Sequence, residues 1–299
     1  MKKIIKNVLL VATAVALCLV SFIHINAETI YIVDGYSYTI IDNESVSLYA
    51  WDYSADVLQV PDSFTNRDLV AVSNRAFKND ANLHAIDFSA AEHLTTIGIE
   101  SFYNSGLSTK VTLTPSITTI GERAFENCQH LPEVDIQANV ETVPVQCFNR
   151  CMTLSKVTLP ETLNSIQGFA FANCPMLEYL EIPISVTSIS PVAFSNDENL
   201  TLGVWYGSYG YEYAIENGID YTLLDGVLLG DASGDGSVNI NDVTMIQRYL
   251  AELETLEGIY LHAADANQDG TVDIADATII QMYLAEYDME YPIGEVMTQ

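Results

Sequence analysis

The sequence predicts an α/β-type solenoid, mainly short strands in about six 23-residue units, followed by a small all-α module. Three observations predict this. Phenylalanine recurs at Phe77, Phe102, Phe125, Phe148, Phe171 and Phe194, spaced 25 residues and then 23 residues apart. Each Phe carries the same apolar neighbours. Beyond the last unit, "DASGDGSVNIND" (Asp231 to Asp242) and "DANQDGTVDIAD" (Asp265 to Asp276) begin 34 residues apart, and each is followed by a run with helical period.

The repeat columns justify the solenoid. Five residues before each Phe stands Val72, Ile97, Ile120, Val143, Ile166 or Ile189. Eight before stands Leu69, Leu94, Ile117, Val140, Leu163 or Val186, and a Leu follows: Leu83, Leu107, Leu131, Leu154, Leu177 or Leu200. Units that share this many columns bury their apolar side against the next unit. The alternation in "EVDIQ", "KVTLP" and "YLEIP" marks one short strand per unit, with Val134, Ile136, Val157, Leu159, Leu180 and Ile182 pointing inward. A stack needs closed ends. At the front, "YIVDGYSYTIID" and "SVSLYAWDY" alternate like a hairpin. At the back, "SYGYEYAIENGIDYTLL" reads as a helix stopped by Gly218 and then a final strand. The aromatic group Tyr31, Tyr36, Tyr38, Tyr49, Trp51 and Tyr53 reads as cap core, with a sugar-stacking face as the alternative.

The pattern "IGxRAFxxCxxLxxVxI" resembles the bacterial leucine-rich repeat of the BspA-like type, over roughly Leu58 to Leu224. The resemblance implies a leucine-rich-repeat solenoid of a secreted or surface protein that presents strand columns to a partner. Here the outward column is Asp87, Thr112, Asp135, Thr158 and Glu181, beside Ala85, Lys110, Glu133, Lys156 and Tyr179. A solvated face is the alternative. Cys128, Cys151 and Cys174 share one column three residues after the Phe, and Cys147 takes a slot held elsewhere by Ala or Ser. Stacked units lie within disulfide reach, yet three residues in one column cannot all pair. A ladder of small buried residues and a disulfide both remain open at this level.

The two acidic loops carry oxygen-bearing residues around a Gly at position six. Calcium takes roughly six to eight hard oxygens from a flexible loop. The first set is Asp231, Ser233, Asp235, the carbonyl of Ser237, Asn239 through water, and Asp242. The second is Asp265, Asn267, Asp269, the carbonyl of Thr271, Asp273 through water, and Asp276. Two calcium ions are expected. In the following helices Val243, Ile246, Tyr249 and Leu250 mark an apolar face, and Ile279, Ile280, Tyr283 and Leu284 its copy. The segment before the first loop, "YTLLDGVLLG", has no helical pattern, and position twelve is Asp where sensor loops have Glu.

Together these features resemble a type I dockerin, over about Leu229 to Pro292. The resemblance implies two calcium loops, each with an exit helix only, that dock on a cohesin module of a scaffold protein. It places partner contacts at loop positions ten and eleven and on the exit helix: Ile240, Asn241, Gln247 and Arg248, then Ile274, Ala275, Gln281 and Met282. Ile at position ten departs from the family's small polar residue, and only Arg248 remains of its basic pair.

Residues 1–27 read as a secretory signal, with Lys2, Lys3 and Lys6 before an apolar run and cleavage after Ala27. A lipid anchor at Cys18 is disfavoured by Leu17, where a small residue is wanted. The remainder holds 8 basic and 40 acidic residues, which repel phosphate backbones and exclude nucleic acid as a partner. No transmembrane span is expected after cleavage. The expected domains are 1–27 signal, 28–57 cap hairpin, 58–224 repeats with their C-terminal cap, and 225–299 dockerin. No catalytic constellation stands out. His84, His93, His130 and His262 fall on different columns, and neither a G-x-S-x-G motif nor zinc-ligand spacing is present. The expectation is a secreted or scaffold-attached, non-catalytic component of a cellulosome-type complex, whose repeats hold an unknown protein or polysaccharide. A scaffold-borne glycoside hydrolase and a structural spacer are the rivals.

Overall fold

A computed structural model describes residues 21–25, 28–52, 57–288 and 290–297. Most of the expected signal segment and Tyr53 lie outside these residues. The chain divides into two compact units. One runs up to Leu180 and includes Ser185–Leu200; the other joins Glu181–Ile184 to the chain from Thr201 onward.

The first unit opens with an antiparallel meander: β1 (Ser21–Ile25), β2 (Glu28–Val33), β3 (Tyr36–Ile40) and β4 (Ser45–Trp51). β1 falls on residues read above as the end of a signal. Asp34 and Gly35, both at positive φ (49° and 85°), turn β2 into β3 as an Asp-Gly hairpin requires. Part of the aromatic group forms cap core, while Tyr31, Tyr36 and Tyr49 are half-buried. Tyr38 is buried between Tyr31 and Phe64, with ring centroids 5.5 and 4.7 Å away, and Trp51 is buried too. β4 then pairs in parallel with Arg67–Val72 and so passes the sheet to the repeats.

Each repeat contributes two strands where one was expected. The outer-face row is Val111–Leu113, Glu133–Ile136 and Lys156–Thr158, parallel and in register. A second row runs through the Ile column, as Thr142–Val143, Ser165–Ile166 and Ser188–Ile189, with Thr96–Ile97 and Thr119–Ile120 continuing from Arg67–Val72. These strands are two residues long, too short for an alternating pattern to register in the sequence. The predicted inward residues are buried, as are all three apolar columns. The Phe rings form one continuous stack, with centroids 5.1–5.9 Å apart and planes within 12° of parallel. At Gly121 a Cβ would lie 2.4 Å from the backbone nitrogen of Ile99, so only Gly lets these two turns approach.

Around each Phe the backbone alternates in hand. Residues two before and two after take positive φ in the first five units, as at Arg75 and Asn79, Glu100 and Asn104, Arg123 and Asn127, and Asn196 alone does so beside Phe194. This turns alternate N–H groups toward the next unit: Arg75, Phe77 and Asn79 donate to the carbonyls of Ile99, Ser101 and Tyr103 at 2.7–2.9 Å. The turn side is thereby hydrogen-bonded between repeats as fully as the strand side.

The second unit contains α1 (Tyr209–Asn217), capped by Ser208 and stopped by Gly218 at φ 64°, then the strand Asp220–Leu223, as expected. Three helices follow: α2 (Ile240–Leu250), α3 (Gly258–Ala264) and α4 (Ile274–Leu284). α3 corrects the expectation of exit helices only, because a short helix leads directly into the second loop. α2 packs on α4. Residues 295 and 296 return beside the segment that leads into the first loop, with Leu228 bridged to Val296 and Leu229 N–H donating to the Glu295 carbonyl at 2.9 Å. Among the described residues no helix is long and apolar enough to cross a membrane.

Candidate functional site

The two acidic loops fold alike and share most of their hydrogen bonds. Asp231 turns its carboxylate into its own loop, accepting from the N–H groups of Gly234, Asp235 and Gly236 at 2.9–3.1 Å. Asp265 accepts from Asp269 and Gly270 at 3.1 and 2.8 Å. Asp242 takes Ser233 and Asn239 N–H (2.9 and 2.7 Å); Asp276 takes Asn267 and Asp273 N–H (3.1 and 2.8 Å). Gly236 and Gly270 sit at φ 83° and 89° with open space around them, which fits the sharp turn at position six.

Position nine does more than the sequence suggested. Asn239 and Asp273 are the N-caps of α2 and α4, and with Asp242 and Asp276 they complete a capping box in each copy. One carboxylate per loop therefore both starts a helix and faces the loop interior.

Asp231, Asp242, Asp265 and Asp276 are buried, and among the described residues none forms an ion pair with a Lys, Arg or His. Burial holds the Asp276 carboxyl above its usual range. No group of three His, Cys, Asp or Glu side chains is gathered as a metal cluster among the described residues. The donors on offer are hard oxygens of mixed type: carboxylate, amide, hydroxyl and carbonyl. Buried acids without cations, on loops rich in such oxygens, fit calcium.

All eight residues expected to meet a partner lie on the surface of this module. Ile240 and Ile274 begin their helices with side chains 59% and 61% exposed. Arg248 is held by Glu254 at 2.6 Å. The apolar faces predicted for the helices are narrower than expected. Val243 and Ile246 are buried, and so are Ala277 and Ile280, but Leu250, Tyr283 and Leu284 are exposed. A module this small has too little interior to cover them.

On the repeats, the predicted face exists as a registered row. Thr112, Asp135 and Thr158 stand directly opposite one another, as do Glu133 and Lys156. Its charges are paired within the row: Lys110 meets Glu133 and Asp135 at 3.2 and 3.0 Å, and Lys156 meets Glu133 at 3.3 Å. Asp135 raises the Lys110 pKa, with Glu133 second. Asp87 is held low by the Ser89 N–H, and Tyr179 and Glu181 are exposed on their strand. The histidines do not converge. His84 lies at the Gly106 carbonyl, His93 on Asp62 at 2.9 Å, and His262 beside Tyr206.

Two features escaped the sequence reading, and the structure favours the ladder over the disulfide for the cysteines. Glu100, buried, is gripped by Lys78 (2.7 Å), Arg75 and Arg123 (both 2.6 Å); Lys78 and then Arg75 hold its carboxyl down at about 2. Asn side chains form an amide ladder along the turns. The four thiols are free and buried, and Cys128, Cys151 and Cys174 each donate to a Phe carbonyl one turn back at 3.1–3.3 Å. Burial pushes all four up, Cys128 to about 11.

A parallel strand-and-turn stack with one Phe column, followed by twin loop-helix motifs, defines a leucine-rich-repeat protein with a small helical module behind it. Residues 70–201 match the BspA type leucine rich repeat region in six copies, and residues 229–285 match the dockerin type I domain. The chain therefore carries a BspA-type leucine-rich-repeat region followed by a type I dockerin domain. Similar solved structures include a leucine rich cell surface protein from Faecalibacterium prausnitzii A2-165 (22% identity, TM-score 0.43, covering 58% of this chain and 54% of that one). Others are leucine-rich repeat proteins from Bacteroides ovatus ATCC 8483 (17%, 0.32, 59% and 65%) and Eubacterium ventriosum ATCC 27560 (23%, 0.43, 57% and 52%). The chain thus spans about half to two thirds of the length of these proteins. No curated protein matches it. Type I dockerin domains bind calcium, which agrees with the hard-oxygen donors of the two loops.

Proposed function

We propose that this protein is a secreted, non-catalytic accessory or adhesive component of a cellulosome-type complex. The dockerin seats it on a scaffold cohesin and the repeats present a binding surface. Two calcium ions hold the dockerin, one per loop, on the oxygens of Asp231, Ser233, Asp235, Ser237, Asn239 and Asp242 and of Asp265, Asn267, Asp269, Thr271, Asp273 and Asp276. The ions cross-link each loop, and the loop's own residues cap and orient the helix behind it.

The observation that carries the docking reading is the pair Ile240 and Ile274, equivalent in the two copies and each about 60% exposed. Large apolar side chains held in water at matched positions suit a partner that covers them. Asn241, Gln247 and Arg248 flank the first, and Ala275, Gln281 and Met282 the second. Near-equal copies allow docking in two orientations related by a half-turn. Titration of cohesin modules of several types against the chain in calcium tests this. Ile240→Asp or Ile274→Asp alone should weaken binding severalfold, and the double variant should abolish it. Complete loss with one substitution would exclude the two-way reading, and no calcium-dependent binding to any cohesin would exclude docking.

A further inference from the structure

The turn side of the repeats carries a groove that no residue of the strand face enters. Two adjoining hollows of about 400 and 430 Å³ share Asn127 and Gln129. Along their length runs the amide ladder. Asn104 donates to Asn79 at 2.9 Å and Asn127 to Asn104 at 2.7 Å; further on, Asn196 donates to Asn173 and Asn173 to Asn149, both at 2.9 Å. The ladder runs in two stretches, Asn79 to Asn127 and Asn173 to Asn196, broken at Arg150 and tied at Asn173 to the buried Asn149. Asn104 and Asn173 each use one N–H and one lone pair along it and keep the others for a ligand.

The lining has a particular chemistry. Neither hollow is bordered by a single Asp or Glu, in a chain that contains 40 of them. Arg150 replaces Asn at one rung. Its side chain is exposed, and among the described residues its guanidinium has neither ion-pair nor hydrogen-bond partner. Met152 adds an exposed apolar surface beside it. The strand face, by contrast, neutralises its own charges.

The spacing selects the ligand. Rungs repeat with the turns, whose Phe rings two residues away lie 5.1–5.4 Å apart from Phe77 to Phe171. An extended peptide advances about 3.3 Å per residue and falls out of step with such a ladder. An extended chain of pyranose rings advances by close to one rung per sugar, and its hydroxyls both donate and accept, as amides do. We propose that the groove from Asn79 to Asn196 binds an extended neutral polysaccharide, one sugar per turn. This rests on the reading that the repeats are a binding surface, and it locates that surface on the turn side.

Affinity electrophoresis of the full chain through gels containing xyloglucan, mixed-linkage β-glucan or galactomannan tests it, with polygalacturonate as the charged comparison. The wild type should be retarded by at least one neutral polymer. A Gln129→Ala, Arg150→Asn, Met152→Ala variant should bind about tenfold more weakly or worse, a loss of about 1.4 kcal/mol. All three side chains are exposed, and Asn suits the positive φ at 150, so the thermal midpoint should not move. Retardation lost instead in a Lys110→Ala, Lys156→Ala variant, with the groove variant binding normally, would overturn the groove while leaving the repeats a binding surface. No retardation by any neutral polymer, or retardation by polygalacturonate alone, would overturn the proposal. Calcium-dependent cohesin capture by the same sample would then leave the docking reading intact.

Discussion

Two carboxyl groups four turns apart in one stack respond to acid in opposite ways. Glu100 sits among Lys78, Arg75 and Arg123, and its pKa falls from 4.5 to about 2. The unfolded chain takes up a proton near 4.5 that the native state refuses until about 2. Stability from this group is therefore complete above pH 4.5 and is lost as pH falls toward 2. Glu100→Gln should lower stability by on the order of 2 kcal/mol at neutral pH and flatten the loss below pH 4.5, as read from urea unfolding midpoints. Asp197 is the reverse case. Its Oδ1 accepts the Cys174 N–H at 2.6 Å, while Oδ2 is buried with no hydrogen-bond partner, and burial raises its pKa from 3.8 to about 7. The native state keeps a proton that the unfolded chain has released, so stability rises as pH falls from about 7 toward 3.8. Asp197→Asn should erase that slope, seen by comparing wild-type and variant midpoints at pH 7.5 and 5.5. An unchanged slope would mean that Asp197 is ionised in the native state. Neither behaviour was legible in the sequence. Nothing near Glu100 in the chain announces that Arg75 and Arg123 reach it from the turns on either side, and Asp197 stands three residues after Phe194, in the column that Cys128, Cys151 and Cys174 fill elsewhere, with nothing local to mark its burial.

At the scale of single elements, the loops and their exit helices were legible because one residue type serves one role at a fixed spacing. The capping box was implicit in the same letters: Asn239 with Asp242, and Asp273 with Asp276. What stayed hidden was α3, whose seven residues GIYLHAA carry no apolar period, and the second strand row, whose two-residue strands cannot show alternation. The proposed ligand sets predict an order of affinity. The second loop offers four carboxylates against three in the first, and ligand charge strengthens calcium binding. Calorimetry should show that Asp265→Ala removes the tighter site and Asp231→Ala the weaker one. Equal affinities, or the opposite order, would place geometry above charge in these loops. The amide ladder teaches the same lesson from the other side. Asn follows Phe by two residues in five of six units, a period open to view, but its meaning depends on the positive φ that turns each amide along the stack.

At the scale of the whole molecule, the two units are held by different physics. The solenoid is a stack in which each turn contacts its neighbours through the Phe column and two rows of strands, so its stability accumulates turn by turn. The dockerin buries few large side chains, and in the proposed reading its calcium ions supply folding energy. Chelation of calcium should therefore remove much of the helical circular-dichroism signal of α2 and α4 and leave the strand signal of the repeats. Loss of both signals together would show that the repeats also depend on the metal. The sequence by itself determined the solenoid, its period, its buried columns, and the paired acidic loops with their exit helices, because each rests on a local pattern repeated in register. Only the tertiary structure decided which exposed residues act together: the self-paired strand face, the cations around Glu100, the free and buried thiols, and the carboxylate-free groove. Those depend on side chains 23 or more residues apart being stacked within about 5 Å of one another, and a linear sequence carries the period of that stack without the directions in which its side chains point.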